Sequence, residues 1–258
     1  MAHLAMFMAA RVVVIDPKSY SVLQRYLSPH KLHKVPNMID LDRLDRLRNE
    51  EPQDAKRRIS MEAHLLFAGR VVRDKGIIEM VEACCQLPGV DLHLIGPFDE
   101  AFCKQLCHLA QPRETGQWLH FYGQMENDEV YRHILLSDII LLPSYYEGFP
   151  LVILESMALG KPVVAGDVGA IAEMIDIQGE FPCGVCVPPK DTAALQSALQ
   201  RLLEQREKWE EMGQHGRRRV EAFYSTKSVM GKLEALWVDM RRPNRSQRDK
   251  QCPASISG

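Results

Sequence analysis

The chain has 258 residues, 46% of them hydrophobic and 26% charged, with a formal net charge of −2. That length suits one large domain or two small ones, and the near-neutral balance excludes a dedicated nucleic-acid binder, which is ordinarily strongly basic. No apolar run reaches the roughly 18 residues that a membrane span requires.

Residues 1–10 are apolar but lack the basic start and polar boundary of a signal peptide, which points to the cytoplasm. They read as the end of a helix that feeds a strand at residues 11–16, R-V-V-V-I-D. A helix is predicted over residues 19–27, then a turn-rich linker that begins V-P-N-M-I-D at Val35 and runs to residue 59. One strand and one helix cannot bury their own apolar faces. Residues 1–34 are therefore expected to dock on the rest of the chain, on a second chain, or on residues outside this sequence.

From residue 64 the pattern becomes regular. Predicted strands at 64–71, 90–96, 118–123, 138–144, 162–167 and 184–187 alternate with predicted helices at 75–87, 100–110, 127–137, 150–159, 170–175 and 192–205. Strands that are apolar throughout, with helices between them, imply a parallel sheet covered on both faces. The fold class is thus α/β, a Rossmann-like domain over residues 60–205. Asp191 is the expected N-cap of its last helix. Two helices, at 206–224 and 226–240, complete a C-terminal segment ending at residue 241. The tail 242–258 is polar, carries two prolines and is expected to be disordered.

Seven cysteines with no framework spacing suit a reducing compartment. Cys103 and Cys107, one helical turn apart, read as packing residues. Cys183 and Cys186 form a C-x-x-C, but no second pair follows at zinc spacing and the motif opens a strand rather than a helix, so neither metal nor redox chemistry is expected there.

Three glycine-containing loops should converge on the C-terminal edge of the sheet, where open α/β folds bind ligands. The first, G-R-V-V-R-D-K-G, runs from Gly69 to Gly76. Its glycines let backbone approach a ligand, and Arg70 and Lys75 offer a forked donor and a point charge suited to a diphosphate. A surface loop with solvated charges is the competing reading. In the second, Glu147 and Glu155 bracket an apolar turn containing Gly148, Phe149 and Leu151 at the opening of a helix. Free N–H groups at such an opening favour an anion. Pro150 has none, which leaves Phe149 and Leu151 as donors. Glu155 is placed to accept hydrogen bonds from ribose hydroxyls, and Glu147 from a sugar. The third loop leads from Asp167 through Gly169 to Glu173, an acid that also suits a helix dipole.

Together these loops resemble the retaining glycosyltransferases of family 4, which have the GT-B fold. The resemblance spans roughly residues 11–240, and the E-x7-E signature from Glu147 to Glu155 is its strongest element. The G-R-x4-K-G loop stands after the first strand of what would be the C-terminal domain. V-P-N-M-I-D is similar to the family's P-N-G-V-D crossing, with Met38 in place of glycine. Residues 169–173 are similar to its G-G-x-P-E turn, with alanine at the second glycine and at the proline.

The resemblance implies roles. Arg70 and Lys75 hold the donor diphosphate and neutralise charge as the nucleotide leaves. Glu147 contacts the donor sugar near the reacting centre, and Glu155 binds the ribose. Gly69 and the backbone of Gly148, Phe149 and Leu151 position sugar and phosphate. Residues 122–125 and 142–144 line the base pocket. No metal or other cofactor is expected at the diphosphate, and the D-x-D string at Asp40 to Asp42 is set aside because it lies in the linker. The resemblance further implies an N-terminal acceptor domain, of which residues 11–30 supply only the last strand and helix. His30 and His33 do not match that domain's histidine.

The implied activity is metal-independent transfer of a sugar from a nucleotide sugar to a glycan or glycolipid acceptor, as in lipopolysaccharide or other bacterial surface glycans. On this resemblance the chain is expected to be truncated on its acceptor side, and so either inactive alone or completed by a second chain that supplies an N-terminal domain. Two competing readings are a non-catalytic nucleotide-sugar-binding subunit or remnant and a GT-B sugar-nucleotide epimerase; the first two loops together favour the transferase over the epimerase, and the binding subunit stays open. Arg217 to Arg219 and Arg241 with Arg242 read either as solvated helix faces or as peripheral contacts with the inner face of a membrane.

Overall fold

The computed structural model describes residues 8–50, 62–111, 118–180 and 182–241. The tail expected to be disordered, Arg242, and most of the expected N-terminal helix end lie outside the described residues.

The chain opens with a small βαβ unit: β1 (Val12–Val14), α1 (Pro17–Leu23) and β2 (Leu32–Lys34). The Asp16 carboxylate accepts from the Ser19 N–H at 2.9 Å, and proline at the first helical position lacks only an N–H that has no helical partner anyway. The helix therefore starts two residues before the predicted 19–27 and ends at Leu23. Strand β2, which the sequence reading did not foresee, pairs in parallel with β1. Val14, Leu27 and Leu32 make a small core of their own, while Val13, Ile15 and Val22 stay exposed.

The expected linker 35–59 contains a helix, α2 (Leu41–Glu50). Leucines recur every three residues, and Leu44 and Leu47 are buried. Asp40 caps the first turn, its carboxylate accepting from the Arg43 N–H at 3.2 Å. The D-x-D string thus serves a helix start.

The main sheet is fully parallel, in the order β5-β4-β3-β6-β7-β8. Its strands are β3 (Ala63–Ala68), β4 (Val90–Ile95), β5 (Leu119–Gly123), β6 (Ile139–Leu142), β7 (Val163–Gly166) and β8 (Gly184–Val187). Helices α3 (Ile77–Cys85), α4 (Glu100–Leu109), α5 (Asn127–Leu136), α6 (Leu151–Ala158), α7 (Ile171–Met174) and α8 (Thr192–Glu204) connect and follow them. All six predicted strand–helix units are present. As expected, Asp191 caps α8, accepting from the Ala194 N–H at 2.8 Å. Helix α3 packs on α4 and α8 in one layer. On the other side α5 carries α2, and α6 carries α9 (Trp209–Phe223).

The last helix, α10 (Thr226–Arg241), returns to the chain start. Arg11 meets Asp239 at 2.8 Å. At the junction of α9 and α10, the Ile39 N–H donates to the Tyr224 carbonyl at 2.9 Å, and the Thr226 N–H to the Ile39 carbonyl at 3.1 Å. Two of the five arginines considered for lipid contact turn inward. Arg217 grips Asp45 with two bonds of 2.8 Å, and Arg219 holds Asp176 at 3.2 Å and the carbonyls of Glu173 and Met174. Among the described residues, no helix is long and apolar enough to cross a membrane.

Candidate functional site

Strands β3 and β6 lie side by side, yet the chain leaves them toward opposite edges of the sheet, β3 to β4 and β6 to β7. Their loops must part, and the crevice between them is where open α/β sheets take ligands. All three predicted loops lie at this edge, at the ends of β3, β6 and β7.

The loops are locked to one another by backbone. The Tyr145 N–H donates to the Asp74 carbonyl at 2.8 Å, joining the second loop to the first. The Ala170 N–H donates to the Gly148 carbonyl at 2.9 Å, joining the third to the second. Two glycines make this possible. Gly76 has φ 69°, and a Cβ there would strike the Pro143 carbonyl; Gly169 has φ 60°, and a Cβ there would strike the carbonyls of Glu147 and Gly148. Both positions combine left-handed backbone with contact too close for a side chain.

On this frame Lys75 Nζ and Glu147 Oε1 meet at 2.6 Å, with side chains only 19% and 13% exposed. The sequence assigned these two residues to different parts of a donor, and the fold places them in direct contact. Arg70 is exposed, and among the described residues none pairs with it. Tyr145 donates to Glu79 at 2.5 Å beneath the first loop.

The helix opening lies slightly later than predicted: α6 starts at Leu151, with Pro150 as N-cap and Gly148 and Phe149 in the preceding turn. Gly148 and Leu151 are exposed, whereas Phe149 is buried edge-on against Tyr224, so its contribution to a ligand is confined to backbone. Glu155, on the second turn of α6, accepts from the Tyr131 hydroxyl at 3.1 Å. Burial raises the Glu155 carboxyl above the ordinary carboxylate range, against the opposing pull of that hydrogen bond and of Arg43. Tyr131 in turn is pushed up to about 12, first by burial and then by Glu155.

Sequence reasoning missed three participants. Tyr131 orients Glu155. Lys34, at the end of β2, clasps Glu173 with bonds of 2.7 and 2.8 Å. The Asn37 side chain donates to the Phe149 carbonyl at 3.2 Å. The βαβ unit and linker are thus fastened to the second and third loops. An N-P or P-N step before a helical pattern marks such a crossing, but no local signal pairs Lys34 with Glu173.

Tyr122 lies elsewhere than expected. It faces a cavity of about 820 Å³ on one face of the sheet, beside His93 and His133, rather than a base pocket at the loops. Of the C-x-x-C thiols, Cys183 is buried just before β8 and Cys186 is half-buried within it, and desolvation pushes Cys183 up to about 11 and Cys186 up to about 12.

The profile of the family "Glycosyl transferases group 1" matches residues 49–219. The MMP alpha-(1->4)-mannosyltransferase of Mycolicibacterium hassiacum is 28% identical over 82% of this chain and 49% of its own length. Among solved structures, the sucrose-phosphate synthase of Thermosynechococcus elongatus superposes with a TM-score of 0.73 at 29% identity, over 90% of this chain and 58% of that one. The Anabaena protein HepE, in complex with UDP, gives a TM-score of 0.75 at 17% identity, over 90% of this chain and 64% of that one. The chain spans about half the length of the curated relatives it matches.

Proposed function

The chain belongs to the group 1 glycosyl transferases, and from that premise we propose that its three loops bind a nucleotide-sugar donor for retaining, metal-independent transfer to a glycan or glycolipid acceptor. The observation that carries the reading is the contact between Lys75 and Glu147 at the switch point, on the same loop as Arg70, which is exposed and has no partner among the described residues. A diphosphate entering between the loops meets two cationic side chains and the N–H groups of a helix opening, in a partly dry site where charge–charge contacts are strengthened.

As the diphosphate binds, Lys75 exchanges the Glu147 carboxylate for a phosphate oxygen. Glu147 is then released to a sugar hydroxyl beside the reacting carbon. Glu155, oriented by Tyr131, accepts from the ribose. When the glycosidic bond to phosphate breaks, negative charge grows on the departing diphosphate, and Arg70 and Lys75 stabilise it. The three loops form one wall of a cleft. The acceptor is held by a facing surface, which the outer face of the βαβ unit adjoins, so that donor and acceptor meet in a closed site.

Calorimetric titration with UDP-, GDP- and ADP-sugars tests the reading. Saturable binding at millimolar or lower concentration, lost in Arg70→Ala and in Glu155→Ala, is expected. A folded sample that binds none of the three overturns it.

A further inference from the structure

A second polar site lies in the 820 Å³ cavity, on a face of the sheet that an α/β fold ordinarily fills with aliphatic side chains. In register, His64 of β3 stands opposite Asp91 of β4, and His93 of β4 opposite His120 of β5. Residues paired across a parallel sheet share a face, as do residues two apart on one strand. These four and Tyr122 therefore project together into the space under α5. We propose that His64, Asp91 and His93 form a site for a divalent transition-metal ion, with zinc the best match, that clasps β3 to β4.

The geometry suits an ion. His64 Nδ1 lies 3.2 Å from His93 Nε2 and 3.7 Å from Asp91 Oδ2, and one donor atom from each residue falls within 4.8 Å of the others. Nitrogen and oxygen ligands about 2.0–2.2 Å from a tetrahedral zinc stand roughly 3.2–3.6 Å apart. Two imidazoles and one carboxylate are donors that zinc accepts, and the cavity leaves room for water as a fourth ligand. The surrounding bonds hold the ligands in a productive form. His93 Nδ1 lies 2.9 Å from the Tyr122 hydroxyl; with its proton on that nitrogen, Nε2 presents a lone pair to the ion. His120 Nε2 lies 3.2 Å from Asp91 Oδ1, leaving Oδ2 for the metal.

The site is apart from the donor loops. His64 is the second residue of β3, and the cavity is walled by Ser137, Asp138, Lys161 and Pro162 at the starts of β6 and β7, whereas the donor loops leave the strand ends. The ion takes no part in transfer.

Zinc titration of the full chain against a chromophoric chelator, with Co²⁺ absorption as a second readout, tests the proposal. One ion per chain is expected, with affinity weakened at least about 10-fold in Tyr122→Phe and more in His93→Gln and Asp91→Asn. Co²⁺ should give the intense visible bands of a four-coordinate site, and zinc should raise the Tm of the wild type only. Tyr122→Phe keeps the packing, so it reports even where a ligand variant unfolds. Absence of stoichiometric zinc binding at micromolar concentration overturns the proposal. So does equal affinity in wild type and all three variants, which would assign the ion to other side chains.

Discussion

Replacing Lys75 with methionine separates the structural from the ligand-binding role of the Lys75–Glu147 contact. At 2.6 Å and an effective dielectric near 20, the gross attraction is roughly 6 kcal/mol. Desolvation of two mostly covered ions offsets most of it, and removing one partner falls between the ~1 kcal/mol lost at exposed pairs and the ~3–5 kcal/mol lost when a fully buried charge is left alone, at about 2 kcal/mol. Lys75→Met leaves the Glu147 carboxylate covered and unpaired, and should destabilise by about 2 kcal/mol, or ~4–8 °C in Tm for a domain of this size. Glu147→Gln should cost less, because a lysine can extend to water. The double variant should recover much of the loss, and urea unfolding of the four proteins gives the coupling directly. The binding arm separates further: Lys75→Met should weaken UDP about 10-fold or more, while Glu147→Gln, which frees Lys75 from its partner, should leave UDP affinity unchanged or improved. A coupling below ~0.5 kcal/mol, or a loss of UDP affinity in Glu147→Gln equal to that in Lys75→Met, refutes the reasoning.

Glu155→Gln should abolish donor binding yet stabilise the protein at neutral pH. Because the folded carboxyl is raised, its contribution to stability is fully present below the unfolded value of about 4.3 and is lost as pH rises through the folded value. The Tm difference between variant and wild type should therefore vanish in acid and grow toward neutrality; a difference independent of pH contradicts this. Gly169→Ala places a Cβ in left-handed backbone against the Glu147 carbonyl and should cost about 2 kcal/mol or more while weakening donor binding, read by thermal shift with and without UDP. In native protein at about pH 8, Cys183 and Cys186 should resist alkylation while the partly exposed Cys107 reacts, as peptide mass spectrometry will show.

The sheet was legible in the sequence because its strands are mostly apolar, unbroken in β6 (I-I-L-L) and β7 (V-V-A-G) and interrupted by single polar residues in β3, β4 and β5. Helix α2 was not: its charged residues outnumber its leucines, and what holds it is distant in sequence, the burial of Leu44 and Leu47 and the ion pairs Arg43–Asp128 and Asp45–Arg217. β2 is three residues long and exists through pairing with β1. At the site, residue types and loops could be read locally, but the contact between Lys75 and Glu147 spans 72 positions and follows from strand order alone. Tyr122 was misplaced for a related reason. The resemblance put it near the base pocket, but which face of the sheet its side chain takes, and what shares that face, depends on the register of β4 against β5.

The central claim is that the loops at the ends of β3, β6 and β7 hold the donor. Hydrogen–deuterium exchange with and without a saturating nucleotide sugar tests it most directly, since it reports where the ligand sits. Protection confined to residues 69–76, 144–155 and 167–173 is the predicted result. Protection that spares these three segments, with binding otherwise demonstrated, contradicts it.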